Sequence, residues 1–272
     1  MAAADLTMSK PTAFPISPPP EAAFERVRAD SRPEILLICD HATNAVPSEL
    51  GDLGLSAEDR ERHIAYDIGV RGVVLALSDL LDAPAVLSTF SRLVIDPNRG
   101  ETDPTILMRL YDRSIIPGNA QADAAERERR LETYHRPYHT AVSGAIDGAM
   151  EAGARPLLVS VHSFTPQLRG REIRPWHAGV LWDQDEATAR ALLHLLNAEG
   201  DLCVGDNEPY RGSLEGDTMW RHGNSRNLPH ALIEIRHDLI REEDQQWAWA
   251  NRLAPMLEKL LEAAASPKRG RD

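Results

Sequence analysis

Cysteine is scarce in this chain of 272 residues, which contains only Cys39 and Cys203 and no C-x-x-C motif. This scarcity excludes a zinc ribbon and a thioredoxin-like redox motif, and it is typical of a protein that keeps its thiols reduced. The sequence also lacks the roughly 18 consecutive apolar residues that a membrane-spanning helix needs. Its first residues lack the basic and apolar segments of a signal peptide, so we expect a cytoplasmic location.

Positive charge is in short supply as well. The chain has 30 Lys and Arg residues against 42 Asp and Glu residues, a formal net charge of −12. Because nucleic acids and anionic membranes attract basic proteins, this balance argues against both as partners. We expect one α/β domain over residues 33–265, as a monomer or small homo-oligomer. A proline-rich, partly mobile segment at residues 1–32 precedes it, and a disordered tail at residues 266–272 follows.

Three apolar stretches place polar side chains at the ends of predicted buried strands. The run at residues 35–38 leads into His41, the run at residues 157–161 leads into His162, and a third stretch contains Glu234. Short, fully apolar runs of this kind are typical of strands covered on both faces. Since ligands bind at the carboxyl ends of the strands in an α/β sheet, we expect these side chains to meet there.

The remaining pattern alternates strands with helices, which predicts a mostly parallel, mixed sheet with helices on both faces. The predicted strands cover residues 35–38, 85–90, 157–161, 178–182, 202–204 and 228–235. The predicted helices cover residues 67–81, 121–150 with a kink at Pro137, 186–197 and 242–264. Residues 91–100 are predicted to form a short strand and a turn. Residues 21–30 form either a short helix or a segment on the sheet edge.

The two histidines suggest a zinc site. A catalytic zinc ion takes three protein ligands and leaves one position open, so His41 and His162 need a third partner. The candidates are Asn44, three residues after His41, and Asp67, at the predicted start of a helix. A neutral amide is a poor zinc ligand, so we favour Asp67, although its carboxylate would also suit a helix N-terminus. We predict one Zn²⁺ per chain.

Glu234 sits in an otherwise apolar strand, where an unpaired carboxylate is costly to bury. It is either one half of a structural ion pair with Arg236, two residues further on, or a general base that takes a proton from metal-activated water.

Other polar residues suggest substrate contacts. Arg92 and Arg99 flank an Asp-Pro-Asn turn and are either surface charges or ligands of a substrate carboxylate. The polar stretch 206–227 contains Tyr210 and His222, which we predict to lie on a loop that closes over the substrate.

His135 and His139 are spaced four residues apart and form a weak alternative pair of metal ligands. Pro137 lies between them and disturbs regular helix geometry. We therefore interpret His139 as a packing residue or as a support for the ligands.

Taken together, the motifs resemble those of the N-formylglutamate amidohydrolase family. The motifs, in chain order, are CDHATN, HIAYDIGVRG, SRLVIDPNRG, RPYH, SVHSF, PYRG, RHGN and IEIRHDL. The resemblance implies a phosphorylase/hydrolase-like α/β fold, distantly similar to zinc carboxypeptidases and aspartoacylases. It also implies that His41 and His162 bind zinc, that Glu234 is the base, and that Asn98 and Arg99 hold a substrate carboxylate. Those relatives have a glutamate where this chain has Asn44.

These observations predict a metal-dependent amidohydrolase that cleaves the linear amide of an N-formyl or other N-acyl amino acid. In this interpretation Glu234 moves the proton, and Arg92 helps to stabilise the oxyanion. The alternatives are a carboxypeptidase-like or peptidoglycan-trimming zinc hydrolase, or a non-catalytic carboxylate-binding protein on the same fold.

Overall fold

A seven-stranded mixed sheet runs through residues 22–265, which are the residues that the computed structural model describes. Its strands are β1 (Phe24–Val27), β2 (Ile35–Cys39), β3 (Ala85–Ser88), β6 (Leu157–Phe164), β7 (Ala178–Leu181), β8 (Val204–Asp206) and β9 (His230–Arg236). Two short strands, β4 (Leu110–Tyr111) and β5 (Ser114–Ile115), form a separate hairpin. The proline-rich stretch up to residue 21 and the predicted tail at residues 266–272 lie outside the described residues, and the division into domains stays a prediction.

The helices are α1 (Ala57–Arg60), α2 (Val70–Leu81), α3 (Pro117–Ala120), α4 (Ala124–Arg130), α5 (Arg136–Glu151), α6 (Glu186–Ala198), α7 (Thr218–His222) and α8 (Glu243–Ala265). A π-helical turn at Leu131–His135 joins α4 to α5. No helix within the described part of the chain is long and apolar enough to cross a membrane.

The sheet order is β1-β3-β2-β6-β9-β7-β8. Strands β3, β2, β6 and β9 are parallel to one another, whereas β1 and β7 run antiparallel to their neighbours β3 and β9. The predicted fold class, a mostly parallel α/β sheet, is confirmed. Within the stretch for which a short helix or a sheet-edge segment was expected, Phe24–Val27 form the edge strand β1, so the described part of this stretch lies on the sheet edge.

Helices cover both faces because the central strands are apolar on both sides. In β2, Ile35, Leu37 and Cys39 pack into the core beneath α2, α6 and α8. The alternate residues Leu36 and Ile38 pack into a second core with α5 on the opposite face. Successive side chains of a strand point to opposite faces, so a continuous apolar run feeds two cores.

Three local predictions were wrong in detail. The helix predicted from Asp67 begins only at Val70, after Gly69 in a left-handed conformation. Residues 91–100 form successive turns and no strand. The predicted helix over residues 121–150 begins only at Ala124; it is divided near Pro137, as expected, but by a π-helical turn at Leu131–His135.

Gly69 leads from the segment that contains Asp67 into α2, at a φ of +82° that favours glycine. A Cβ atom at this position would lie 1.9 Å from the backbone oxygen of Ile240. Gly153 offers a matched control, because it has a φ of +86° but no atom within 4 Å of the place that a Cβ atom would occupy.

We expect Gly69→Ala to lower the free energy of unfolding by about 3 kcal/mol or more, because backbone strain adds to a clash with backbone atoms. Gly153→Ala should cost only about 1–2 kcal/mol, the conformational penalty alone. Urea denaturation of both variants measures the difference. Equal losses would show that the contact with Ile240 does not constrain this turn.

Candidate metal centre and active site

Strand alternation and register bring His162 and Glu234 together. In β6, Val159 and Val161 face the core beneath α2, so His162 faces the opposite side of the sheet. The same alternation applies to β9, where Ile233 and Ile235 face that core. The parallel pairing sets His162 directly beside Glu234, so an imidazole and a carboxylate lie next to each other on one face.

The structure gathers His41, Asp67 and His162 into one buried cluster. The Nδ1 atom of His162 lies 2.8 Å, and that of His41 3.3 Å, from Oδ2 of Asp67. One ligand atom from each of the three residues lies within 4.8 Å of the others. Two imidazole nitrogens and a carboxylate oxygen form a donor set suited to a divalent metal ion.

Both imidazoles are held so that Nδ1 is free to act as a ligand. His41 Nε2 lies 2.7 Å from Oδ1 of Asp96, and His162 Nε2 lies 3.1 Å from Oδ2 of Asp40. A carboxylate accepts the N–H of each ring at Nε2, which leaves a lone pair on Nδ1 in the neutral tautomer. Carboxylates that orient ligating histidines in this way are typical of metal sites.

Asp40 is itself fully engaged. One oxygen accepts hydrogen bonds from Tyr138 Oη at 2.9 Å and Thr218 Oγ1 at 2.7 Å, and the other accepts from Ser160 Oγ at 3.2 Å. Burial alone would raise the pKa of Asp40, but the hydrogen bond and charge of His162 hold it below its ordinary value. Asp40 is therefore an ionised partner for His162.

The cluster attracts positive charge. Burial on its own would raise the pKa of Asp67 and of Asp96. The positive charge of His41 beside Asp67, and that of Arg92 beside Asp96, outweigh this effect and keep both pKa values below their ordinary values. Burial opposes the charged form of His162, but its bonds to Asp40 and Asp67 raise its pKa well above the usual range. Protons and metal ions compete for such ligands, so the residues present fit a cation.

Asp67 does not cap a helix, since α2 begins three residues later. Its backbone N–H donates to the carbonyl of His41, which ties the two candidate ligands together. Arg92 links two carboxylates of the site, because it donates to Asp96 at 2.8 Å and to Asp67 at 3.5 Å. The Asn44 side chain donates instead to Arg60 and Glu61. The structure thus brings Asp67, and not Asn44, to the two histidines.

Glu234 is buried beside this cluster without a partner. Its Oε2 atom has no hydrogen-bond partner within residues 22–265, and burial raises its pKa to about 7. The alternative of an ion pair with Arg236 is wrong, because Arg236 donates to Asp238 at 2.8 Å. A carboxyl with this pKa can both accept and release a proton near neutral pH.

A cavity of about 130 Å³ opens onto the cluster. Glu234, Arg92, Asn98, Arg99 and Tyr210 all line it, together with the three candidate ligands. Asn98 Oδ1 accepts the backbone N–H of Thr218 at 3.1 Å, which leaves its amide hydrogens available.

His222 is not among the described residues that line this cavity. It is buried in α7, where its Nε2 atom lies 3.0 Å from His139 Nδ1. The predicted loop at residues 206–227 therefore supplies Tyr210 to the cavity but keeps His222 behind it. A contact between His222 and substrate has no support in the structure.

Sequence reasoning assigned no role to Asp40, Asp96, Tyr138 or Thr218. The first two belong to recognisable motifs, next to His41 and within the DPNRG turn. Adjacency to a candidate ligand was the available signal for Asp40. Tyr138 lies in the RPYH motif, but neither it nor Thr218 carried a signal that pointed to Asp40, because they are 98 and 178 residues away along the chain.

The fold and the site together are typical of one class of hydrolase. In this class the strand ends of an α/β sheet could hold a metal ion beside a glutamate that can carry a proton. The family model of N-formylglutamate amidohydrolase matches residues 34–241, most of the chain. The chain therefore belongs to the N-formylglutamate amidohydrolase family and is a hydrolase of carbon–nitrogen bonds in linear amides.

Two solved structures resemble this chain. Gene product Atu2144 from Agrobacterium tumefaciens is 36% identical with a TM-score of 0.85, over 90% of this chain and 97% of that chain. N-formylglutamate amidohydrolase from Ralstonia eutropha JMP134 is 23% identical with a TM-score of 0.62, over 85% and 93%. The second comparison shows a shared fold. No curated protein matches the chain.

We expect Asp96→Asn and Asp40→Asn each to weaken the binding of added Zn²⁺, used as a probe metal, about 10- to 100-fold, because the imidazole that each carboxylate orients loses its charged partner. Competition with a chromophoric chelator measures the affinity. Asp123→Asn is the control, since this carboxylate caps α4. The affinity of this variant for Zn²⁺ should equal that of the wild-type protein. Unchanged affinity in Asp96→Asn would remove Asp96 from the metal centre.

Proposed function

We propose that this protein is a zinc-dependent amidohydrolase that cleaves the linear amide of an N-formyl or other N-acyl amino acid. The observation that supports this most directly is the His41–Asp67–His162 cluster, which opens onto a cavity that also contains unpaired Glu234. Membership in the family supports the carbon–nitrogen chemistry.

Zinc suits this donor set, because two imidazoles and one carboxylate provide three protein ligands and leave one position for water or substrate. His41, Asp67 and His162 would hold one ion per chain. When bound, the ion would lower the pKa of water and polarise the acyl carbonyl.

Glu234 is the proton carrier in this proposal. It accepts the proton of the attacking water and passes it to the nitrogen of the leaving amine as the carbon–nitrogen bond breaks. Its burial beside His162 and its pKa of about 7 suit both steps. A buried carboxyl with an unpaired oxygen costs stability, so a structural role alone would not explain it.

Arg92 supplies positive charge where the oxyanion develops. Asp96 engages its Nε and Nη2 atoms, whereas Nη1 makes only a long contact of 3.5 Å with Asp67. We assign Nη1 to the oxyanion, because a charged donor that is already held in place stabilises the negative charge that develops there.

Two other arginines suit an acidic substrate. Arg99 lines the cavity and donates only to the carbonyl of Asn98 and to Thr105 Oγ1, so its charge is not neutralised by a salt bridge within residues 22–265. Arg211 also lines the cavity and likewise forms no ion pair within the described chain. In our proposal Asn98 and Arg99 bind the α-carboxylate, and Arg211 faces the side-chain carboxylate of a glutamate substrate. Tyr210 forms part of the cavity wall, and the centroid of its ring lies 4.9 Å from the Cζ atom of Arg174.

The small cavity argues against the alternative of a peptidoglycan-trimming enzyme. A space of about 130 Å³ lies below the usual range for ligand sites of roughly 300–1,000 Å³, so a small acylated amino acid fits better than a polymer strand.

Glu234→Gln tests the assigned base. We expect kcat for N-formyl-L-glutamate to fall about 100- to 10,000-fold while one zinc ion per chain is retained, because the amide keeps the shape but cannot carry the proton. Elemental analysis and steady-state kinetics measure the two quantities. The exposed Glu132→Gln is the control, and His41→Ala should lose zinc. An active Glu234→Gln enzyme would rule out this role.

Arg99→Met should raise KM for N-formyl-L-glutamate and N-formyl-L-leucine alike by about 10- to 100-fold, because both substrates have an α-carboxylate. Arg211→Met should raise KM only for the glutamate substrate. Steady-state kinetics with the two substrates separate the roles. If Arg211→Met affected both substrates equally, Arg211 would not select the side chain.

A further inference from the structure

The segment Pro97-Asn98-Arg99 is held at three consecutive residues by three different donors. His139 Nε2 lies 2.9 Å from the carbonyl oxygen of Pro97, and His135 Nε2 lies 2.9 Å from that of Arg99. Between them, Thr218 donates its backbone N–H to the Asn98 side chain. Each contact bridges distant parts of the chain, so the segment has little freedom to change shape.

The two histidines act from one side because of the local helix geometry. They are four residues apart, and residues at this spacing lie on the same helix face. The π-helical turn ends at His135, where α5 begins, and the two rings lie edge to face with centroids 4.5 Å apart. Single π-helical turns inside helices occur frequently at functional sites.

The hydrogen-bond directions in this cluster follow from one another. A carbonyl only accepts, so His139 donates from Nε2 to Pro97, and its Nδ1 accepts the N–H of His222 Nε2. Burial lowers the pKa of His135, His139 and His222, that of His222 to about 4. The three rings are therefore neutral near pH 7, as this chain of donors requires.

We propose that His135 and His139, with His222 behind them, are positioning residues that hold segment 97–99 so that Asn98 and Arg99 face the cavity. The inference rests on the proposed function in one respect, since the substrate carboxylate is what Asn98 and Arg99 would bind. The histidines themselves do not touch the substrate.

Two neighbouring residues of α5 stabilise different parts of the site, one near the candidate metal ligands and the other near Asn98 and Arg99. Tyr138 donates to Asp40, which orients the candidate ligand His162, whereas His139 donates to Pro97. Tyr138→Phe is therefore a matched control for the His139 variants, because Tyr138 is in the same helical turn and is also buried, but it bonds to Asp40 on the metal side.

The experiment compares His139→Leu, His139→Gln and Tyr138→Phe in the full-length, zinc-loaded protein. Gln keeps a donor near the position of Nε2, whereas Leu removes it. Hydrogen–deuterium exchange of peptides spanning residues 97–101 reports the order of the segment without any substrate. Steady-state kinetics with N-formyl-L-glutamate and chelator competition for zinc provide the other two readouts.

We expect His139→Leu to accelerate exchange in the segment about tenfold and to raise KM about tenfold, with kcat and zinc affinity nearly unchanged. His139→Gln should restore both values. Tyr138→Phe should weaken zinc binding and leave exchange in the segment unchanged. If His139→Leu does not fold, His135→Leu and His135→Gln test the same prediction at the carbonyl of Arg99.

Unchanged exchange in the leucine variants would overturn the proposal, as would faster exchange with an unchanged KM. A general loss of stability would instead lower kcat, zinc affinity and exchange protection throughout the sheet, which also contradicts a positioning role. If the wild type does not hydrolyse N-acyl amino acids, the proposed function fails, and the exchange comparison still decides whether the histidines hold the segment.

Discussion

The hydrogen bonds from two imidazoles to two buried carboxylates are the interactions on which the rest of the site depends. Asp96 and Asp40 accept the Nε2 protons of His41 and His162, and this fixes both rings with Nδ1 directed at Asp67. A ring free to rotate would present either nitrogen, and a metal ion would then have to order it at an entropic cost.

Each of these carboxylates is anchored by parts of the chain that also serve the substrate side. Asp96 accepts the backbone N–H of Asn98 at 2.9 Å, so the partner of His41 also begins the segment that contains Asn98 and Arg99. Thr218 donates its hydroxyl to Asp40 and its backbone N–H to Asn98. The metal side and the carboxylate side of the cavity are therefore parts of one hydrogen-bonded network, which accounts for the burial of so many polar groups in one place.

Much of this architecture followed from local patterns. Short apolar runs predicted β2, β6 and β9 and the meeting of the polar side chains at their ends, and the register of β6 and β9 then sets His162 beside Glu234. The start of α2 was placed three residues too early because helical periodicity extends back through Ile68, and only the left-handed conformation of Gly69 marks where the helix begins. Pro137 indicated an interruption of this helix, but the form that it takes, a π-helical turn before α5, has no periodic signature in the sequence.

The sequence by itself determined the α/β class, the central strands and the polar residues that their ends present, because these depend on the spacing of apolar residues within a few positions. The tertiary structure decided that Asp67 rather than Asn44 joins the histidines, that Arg236 leaves Glu234 unpaired, and that His222 supports His139 behind the cavity. The first and the last of these outcomes depend on contacts between residues far apart in the chain, since 95 positions separate Asp67 from His162 and 83 separate His139 from His222. Such contacts form only when the sheet has assembled, since no local rule of helix or strand geometry relates their partners.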